Sequence, residues 1–212
     1  LTTAESNLPD WIAARWKATY GEAALAGLAL AAREEPATDL SLKPGVDPAA
    51  VATSVEGEAL PGGTVRTGRR GDVAGWPGFE DGDWWVQDAA AAVPGRLLDV
   101  KPGETALDMC AAPGGKTLQL AATGASVVAL DRSAPRLKRL TQNLERTGLT
   151  AEVVAVPAED WEDDRTFDAV LLDAPCTATG TFRRNPEVLR ATKPAEVAKL
   201  ADVQHRLLDV AA

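Results

Sequence analysis

The feature that most restricts the fold is an alternation running from residue 104 to residue 173. ETALDM reads as a strand, KTLQLAA as a helix, SVVALD as a strand and SAPRLKRLTQNLERTG as a helix; AEVVAV and FDAVLLD read as two further strands. Strands alternating with helices predict an α/β fold with a parallel, doubly wound sheet. VVAL and AVLL are apolar throughout, the pattern of strands covered on both faces. Such sheets bind ligands outside the C-terminal ends of their strands. The chemistry is therefore expected just after ETALDM, SVVAL and AVLL.

After ETALDM comes CAAPGGKT, Cys110 to Thr117. Its Gly-Lys-Thr ending invites comparison with a triphosphate-binding loop. That loop needs a glycine six residues before the lysine, and Cys110 stands there. Gly114 and Gly115 let the backbone approach a ligand with no Cβ in the way, and the following helix start favours an anionic group. The second strand ends in Asp131, placed to accept hydrogen bonds from both hydroxyls of a ribose. An adenosine with an anionic tail fits, as in S-adenosylmethionine (SAM) or NAD. The G-x-G-x-x-G dinucleotide pattern is absent, which favours SAM. The competing reading is a turn whose glycines serve packing alone.

FDAVLLDAPCTATGTFRRNPE carries the sharper signal. Asp173 ends an apolar strand, where a carboxylate needs partners to offset its burial. Cys176 follows and has the type of a thiolate nucleophile or proton-handling group. Methylation of cytosine at carbon 5 needs such chemistry. A thiolate adding to C6 makes C5 nucleophilic, C5 takes the methyl group from SAM, and loss of a proton and of the cysteine completes the reaction. The base must be unstacked to reach the pocket. A buried, inert cysteine after proline is the bland alternative.

Upstream, residues 8–35 predict two helices, with Ile12, Trp16 and Tyr20 on one face of the first. Gly21 is expected to stop that helix and Pro36 to end the second. TDLSL predicts a strand, and Asp47-Pro48 opens a helix. Glycines dominate from Leu60 to Asp83, where short strands and loops are expected. WWVQDAAAAV is read as a helix disrupted by Pro94, with Trp84 and Trp85 packing where a small N-terminal α+β unit meets the second domain, or else stacking on bases. The expected division is 1–83 for that unit and 84–212 for the domain that binds the cofactor. His205 lies in a helix with no acid placed to partner it.

The net charge of −9 argues against nucleic acid only until the distribution is considered. Arg66, Arg69 and Arg70 cluster, as do Arg132, Arg136, Lys138 and Arg139, and Arg183, Arg184, Arg190 and Lys193. Local patches govern phosphate binding more than totals do, although a solvated surface explains any one of them equally well. Two cysteines and one histidine make neither a disulfide framework nor a zinc site, so no metal is expected. A reducing, cytoplasmic location, no membrane contact and a monomer are the accompanying expectations. The sequence begins without methionine, so a protein continuing upstream is expected.

DMCAAPGGKT, ALDRSAPRLKRLTQNLERTGL and LLDAPCTATGTFRRNPE together resemble the RsmB/Sun-type RNA (cytosine-5) methyltransferases, those acting on bacterial 16S ribosomal RNA most closely. LPDWIAARWKATYG and WWVQDAAAAVPGRLLDV resemble the same family upstream. The resemblance implies a Rossmann-like SAM-dependent methyltransferase sheet preceded by an RRM-like unit that grips RNA. It implies that Cys110, Ala111, Ala112, Pro113, Gly114, Gly115 and Lys116 wrap the methionine end of SAM, with Asp131 on the ribose. It places Asp173 between cofactor and cytosine, Cys176 in product release and proton handling, and Arg183 and Arg184 near the RNA backbone. Pro157 stands where the family has an adenine-contacting Asp, leaving Glu159 or Asp160 as substitutes. The family nucleophile, in a Thr-Cys motif on a later strand, would lie beyond Ala212. On that reading these 212 residues bind SAM and RNA without completing methyl transfer, and they leave a sheet edge exposed that hinders folding in isolation. The remaining alternatives are a non-catalytic SAM- or RNA-binding module and a small-molecule SAM methyltransferase.

Overall fold

The computed structural model describes residues 8–212; residues 1–7 of the expected N-terminal unit lie outside them. The contacts divide the chain into two units: Leu1–Pro36 with Pro175–His205, and Ala37–Ala174 with Arg206–Ala212.

The first unit is helical. Helix α1 (Asp10–Tyr20) ends at Gly21, whose φ of 85° suits the residue with no Cβ. Helix α2 (Glu22–Ala31) follows. Leu8, Ile12, Leu25 and Ala29 pack with Phe182 and Leu189 into one apolar core. Leu189 belongs to α7 (Val188–Ala191), and the long α8 (Pro194–Ala211) contributes its residues through His205.

The second unit holds two four-stranded sheets. Its antiparallel sheet has the order β2-β3-β1-β4, from β1 (Thr38–Leu42), β2 (Gly57–Leu60), β3 (Thr64–Thr67) and β4 (Trp84–Val86). Helix α3 (Pro48–Ser54) starts as expected, with Asp47 accepting from the Ala49 amide at 3.0 Å. WWVQDAAAAV, expected to be helical, contains β4 instead, with Trp84 opposite Leu42 and Val86 opposite Leu40. Strand alternation explains this outcome. Trp84 enters a core with Leu40, Val55 and Val65, while Trp85 points the other way into a core with Leu118, Leu137 and Leu140. Two adjacent apolar residues that serve two different cores need a period of two. Pro94 does not break a helix but sits in the first turn of a short one, α4 (Val93–Leu97). The expected boundary at Trp84 therefore falls inside the first sheet, and the first two helices join residues 175–205 rather than that sheet.

The parallel sheet has the order β7-β6-β5-β8, from β5 (Thr105–Met109), β6 (Ser126–Leu130), β7 (Glu152–Val154) and β8 (Ala169–Leu172). Helices α5 (Gly115–Ala121) and α6 (Ala134–Thr147) connect β5, β6 and β7, and the chain then crosses to the far side of β5. That reversal makes the end of β5 the switch point, where doubly wound sheets hold their ligands. Arg146 of α6 ties the two sheets together. It donates to the carbonyls of Phe79 at 2.7 Å and Trp84 at 3.0 Å, and its guanidinium lies 4.0 Å from the centre of the Phe79 ring.

Candidate active site

The register of the parallel strands builds the site. Met109 of β5 pairs with Leu130 of β6 and with Leu172 of β8. Asp131 and Asp173, each one residue further on, therefore emerge at the same end of the sheet, on either side of Cys110. Backbone bonds fix these ends: the Ala111 amide donates to Leu130 O at 3.0 Å and the Asp173 amide to Met109 O at 3.2 Å.

The loop after β5 is held by side chains as well as by backbone. Cys110 takes a φ of 61°, and Gly114 lies at φ 110° and ψ 2°. A Cβ on Gly114 would stand 2.7 Å from Leu140 Cγ, so this glycine lets the loop pack on α6. Gly115 differs: a Cβ there would be 3.6 Å from Gln87 Cγ, an ordinary contact. The packing role weighed for the glycines thus holds for Gly114. Gly114→Ala is expected to cost roughly 2–3 kcal/mol in a urea melt, from left-handed strain plus the displacement of Leu140. Gly115→Ala should cost well under half of that.

Asp131 is buried, and both its oxygens are engaged. Oδ2 accepts from the Ala112 amide at 3.1 Å and Oδ1 from the Ser133 amide at 2.8 Å. Arg136 of α6 reaches the same place, donating to the Ala112 carbonyl and lying 3.8 Å from Asp131 Oδ2. Asp131 thus latches the loop from Cys110 to Gly114 to the end of β6. Across the site, Lys116 Nζ binds Asp173 Oδ2 at 2.6 Å, with the lysine largely covered and Asp173 half exposed.

Sequence reasoning missed Asp108. It is fully buried, one oxygen accepts from Thr117 Oγ1 at 2.6 Å, and the other has no partner. Burial pushes its carboxyl up from 3.8 to about 7; the Thr117 bond opposes this, and the nearby charges of Asp173 and Asp131 add to it. The available signal was an acid inside the otherwise apolar strand ALDM. Gln87, at the end of β4, braces the site from behind. It is buried, accepts from Trp85 Nε1 at 3.0 Å and donates to Gln119 Oε1 at 3.1 Å, which braces the start of α5.

The two cysteines separate cleanly. Burial pushes the Cys110 thiol up to about 11, helped by Asp131, Asp108, Asp173 and Glu159. At neutral pH it is a thiol and no nucleophile. Cys176 is exposed and accepts from the Ala178 amide at 3.3 Å. Iodoacetamide at pH 8 should alkylate Cys176 first by a wide margin, read by peptide mass; equal labelling would contradict the burial of Cys110. Cys176, Arg183 and Arg184 all belong to the helical unit, and both arginines are exposed. Pro157 precedes a short 3₁₀ turn, Ala158–Asp160, on which both Glu159 and Asp160 are exposed. The charge of Glu159 adds a small push to the Cys110 thiol.

A recess of about 820 Å³ lies elsewhere, at the opposite ends of the parallel strands around Thr105, Ser126 and Glu152. It gathers none of the residues above. Among the described residues there is no cluster of three or more metal-ligating side chains, and no helix is long and apolar enough to cross a membrane.

A parallel sheet with reversed strand order, a glycine loop at the switch point and acids at both flanking strand ends define a Rossmann-like cofactor-binding domain. Residues 95–212 match the family described as 16S rRNA methyltransferase RsmB/F, and the chain belongs to that family. It is 45% identical over 144 residues to ribosomal RNA small subunit methyltransferase B of Pseudomonas putida, which covers 65% of this chain and 33% of the relative. It is 34% identical over 224 residues to the probable ribosomal RNA small subunit methyltransferase B of Synechocystis sp., covering 95% of this chain and 49% of the relative. The crystal structure of PH0851 matches with a TM-score of 0.89 at 27% identity, over 96% of this chain and 49% of that one. The chain thus spans between a third and a half of the length of these relatives.

Proposed function

We propose that this chain forms the cofactor- and RNA-binding part of a SAM-dependent methyltransferase acting on C5 of cytosine in small-subunit ribosomal RNA. One observation carries the reading: Asp131 and Asp173 stand at the same end of the sheet, flanking the glycine loop at the switch point. The names of the relatives supply the substrate class.

The residues suit the cofactor. Burial raises the Asp108 carboxyl, the charges of Asp173 and Asp131 add to it, and one Asp108 oxygen is buried without a partner. Carboxylates gathered in this way favour a cation, and SAM carries two, a sulfonium and an ammonium. A carboxylate has about four lone-pair positions. Asp131 uses two of them on Ala112 and Ser133, which leaves capacity for ribose hydroxyls. Bound SAM would supply an electrophilic methyl group on sulfur. Lys116 holds Asp173, which would accept a hydrogen bond from the base edge. Glu159 and Asp160 stand exposed on one short turn, and either is available to the adenine side.

The thiol that attacks C6 is assigned to neither cysteine here: Cys110 is held neutral, and Cys176 serves proton handling and product release. The test is incubation of the chain with SAM and small-subunit ribosomal RNA carrying 5-fluorocytosine. The RNA should be retained on a native gel, with no adduct surviving denaturation. A covalent adduct that disappears in Cys176→Ala would overturn the role given to Cys176. Absence of any RNA retention would overturn the RNA-binding assignment.

A further inference from the structure

The helical unit contains a recess that the site above does not use. It has a volume of about 310 Å³ and is walled by Trp11, Arg15, Trp16 and Tyr20 of α1 and by Thr177 and Thr179 of the loop after Cys176. Spacings of four place Trp11 with Arg15, and Trp16 with Tyr20, on adjoining rows of one helix face. The two tryptophans are half-buried and pack on the core of the unit, which fixes their rings. Trp16 is further held by Phe182, with ring centroids 5.4 Å apart. Tyr20 stands 62% exposed where Gly21 ends the helix.

These walls specify a ligand. Fixed aromatic faces favour a planar ring, and a guanidinium with two threonine hydroxyls beside them favours a phosphate and other polar groups. A nucleotide combines both, and single-stranded nucleic acid is held in this manner, by stacking on aromatic side chains within a positively charged groove. On a chain of net charge −9, a local cation such as Arg15 is what makes an anionic strand acceptable here.

We propose that this recess stacks one unpaired base of the RNA substrate, a nucleotide distinct from the methylated cytosine, with Arg15 on an adjoining phosphate. The inference rests on the RNA-methyltransferase reading and adds to it a second point of strand recognition.

The experiment is fluorescence anisotropy of the chain with a labelled single-stranded RNA 10-mer and with the same 10-mer made abasic. Tyr20→Ala should weaken binding of the intact RNA by roughly 5- to 100-fold, the range that base–aromatic stacking spans. It should leave abasic binding within about twofold, and Tyr20→Phe should restore the loss. Arg15→Ala should weaken both RNAs and lower the salt slope by about one. A purely structural role for Tyr20 would lower both RNAs together, and that result overturns the proposal. Equal affinity of Tyr20→Ala and the unsubstituted chain for the intact RNA overturns it while leaving the RNA reading standing. Failure of the unsubstituted chain to bind either RNA removes both.

Discussion

Asp131→Ala is expected to weaken SAM binding by about 100-fold or more and to destabilise the fold in the absence of any ligand. The first effect follows from the ribose hydroxyls, since hydrogen bonds to a charged group contribute about 1.5–3 kcal/mol each. The second follows from the latch. Ala112 and Ser133 lose the acceptor of their amide protons, and the Ala112 amide is left buried without a partner. Asp131→Asn should be nearly as severe, because one of its two side-chain positions becomes a donor facing a donor. Calorimetry with SAM and a urea melt of the same samples separate the two effects. A variant that lost binding with unchanged stability would show that the latch contributes nothing.

Asp108 is expected to make the stability of the chain fall as pH rises. Its carboxyl sits near 7 in the fold against an ordinary 3.8. Between about pH 4 and pH 7 the folded chain therefore holds a proton that the unfolded chain has released. Stability declines through that window and is level above it, and the full loss amounts to about 4 kcal/mol. Asp108→Asn cannot titrate, so its melts should lack this slope whatever their absolute level. A cation bound beside Asp108 favours the ionised form, so SAM affinity should rise across the same window in the unsubstituted chain and stay flatter in the variant. Parallel stability profiles for the two proteins between pH 4.5 and 8 would contradict the burial argument.

The parts of the site that were legible in the sequence share one property: each was determined by residues close along the chain. The apolar strands at 105–109, 126–130 and 169–172 and the helix over 134–147 follow from local period and from Gly148, which caps that helix in the left-handed region. Asp131 and Asp173 were legible because strand ends in parallel sheets carry ligands. What escaped the sequence was decided at a distance. Trp84 and Trp85 read as a helix because nothing local reveals that two separate cores wait on opposite faces of one short strand. Asp108 escaped because its importance lies in Thr117 and in its charged neighbours, which only folding assembles. The grouping of the first two helices with residues 175–205 depends on contacts such as Trp16 with Phe182. No periodicity records a pairing over that separation. Gly114 was read as giving the backbone access to a ligand, with packing as the alternative, and the atom it makes room for belongs to Leu140.

The central claim is that the end of the parallel sheet holding Asp108, Asp131 and Asp173 is a SAM site. Titration of SAM, NAD and ATP into the chain, followed by calorimetry, tests it most directly. The account predicts one-to-one binding of SAM that Asp131→Ala abolishes, with no measurable heat from NAD or ATP. Silence with SAM, or a SAM signal that Asp131→Ala leaves intact, would contradict it.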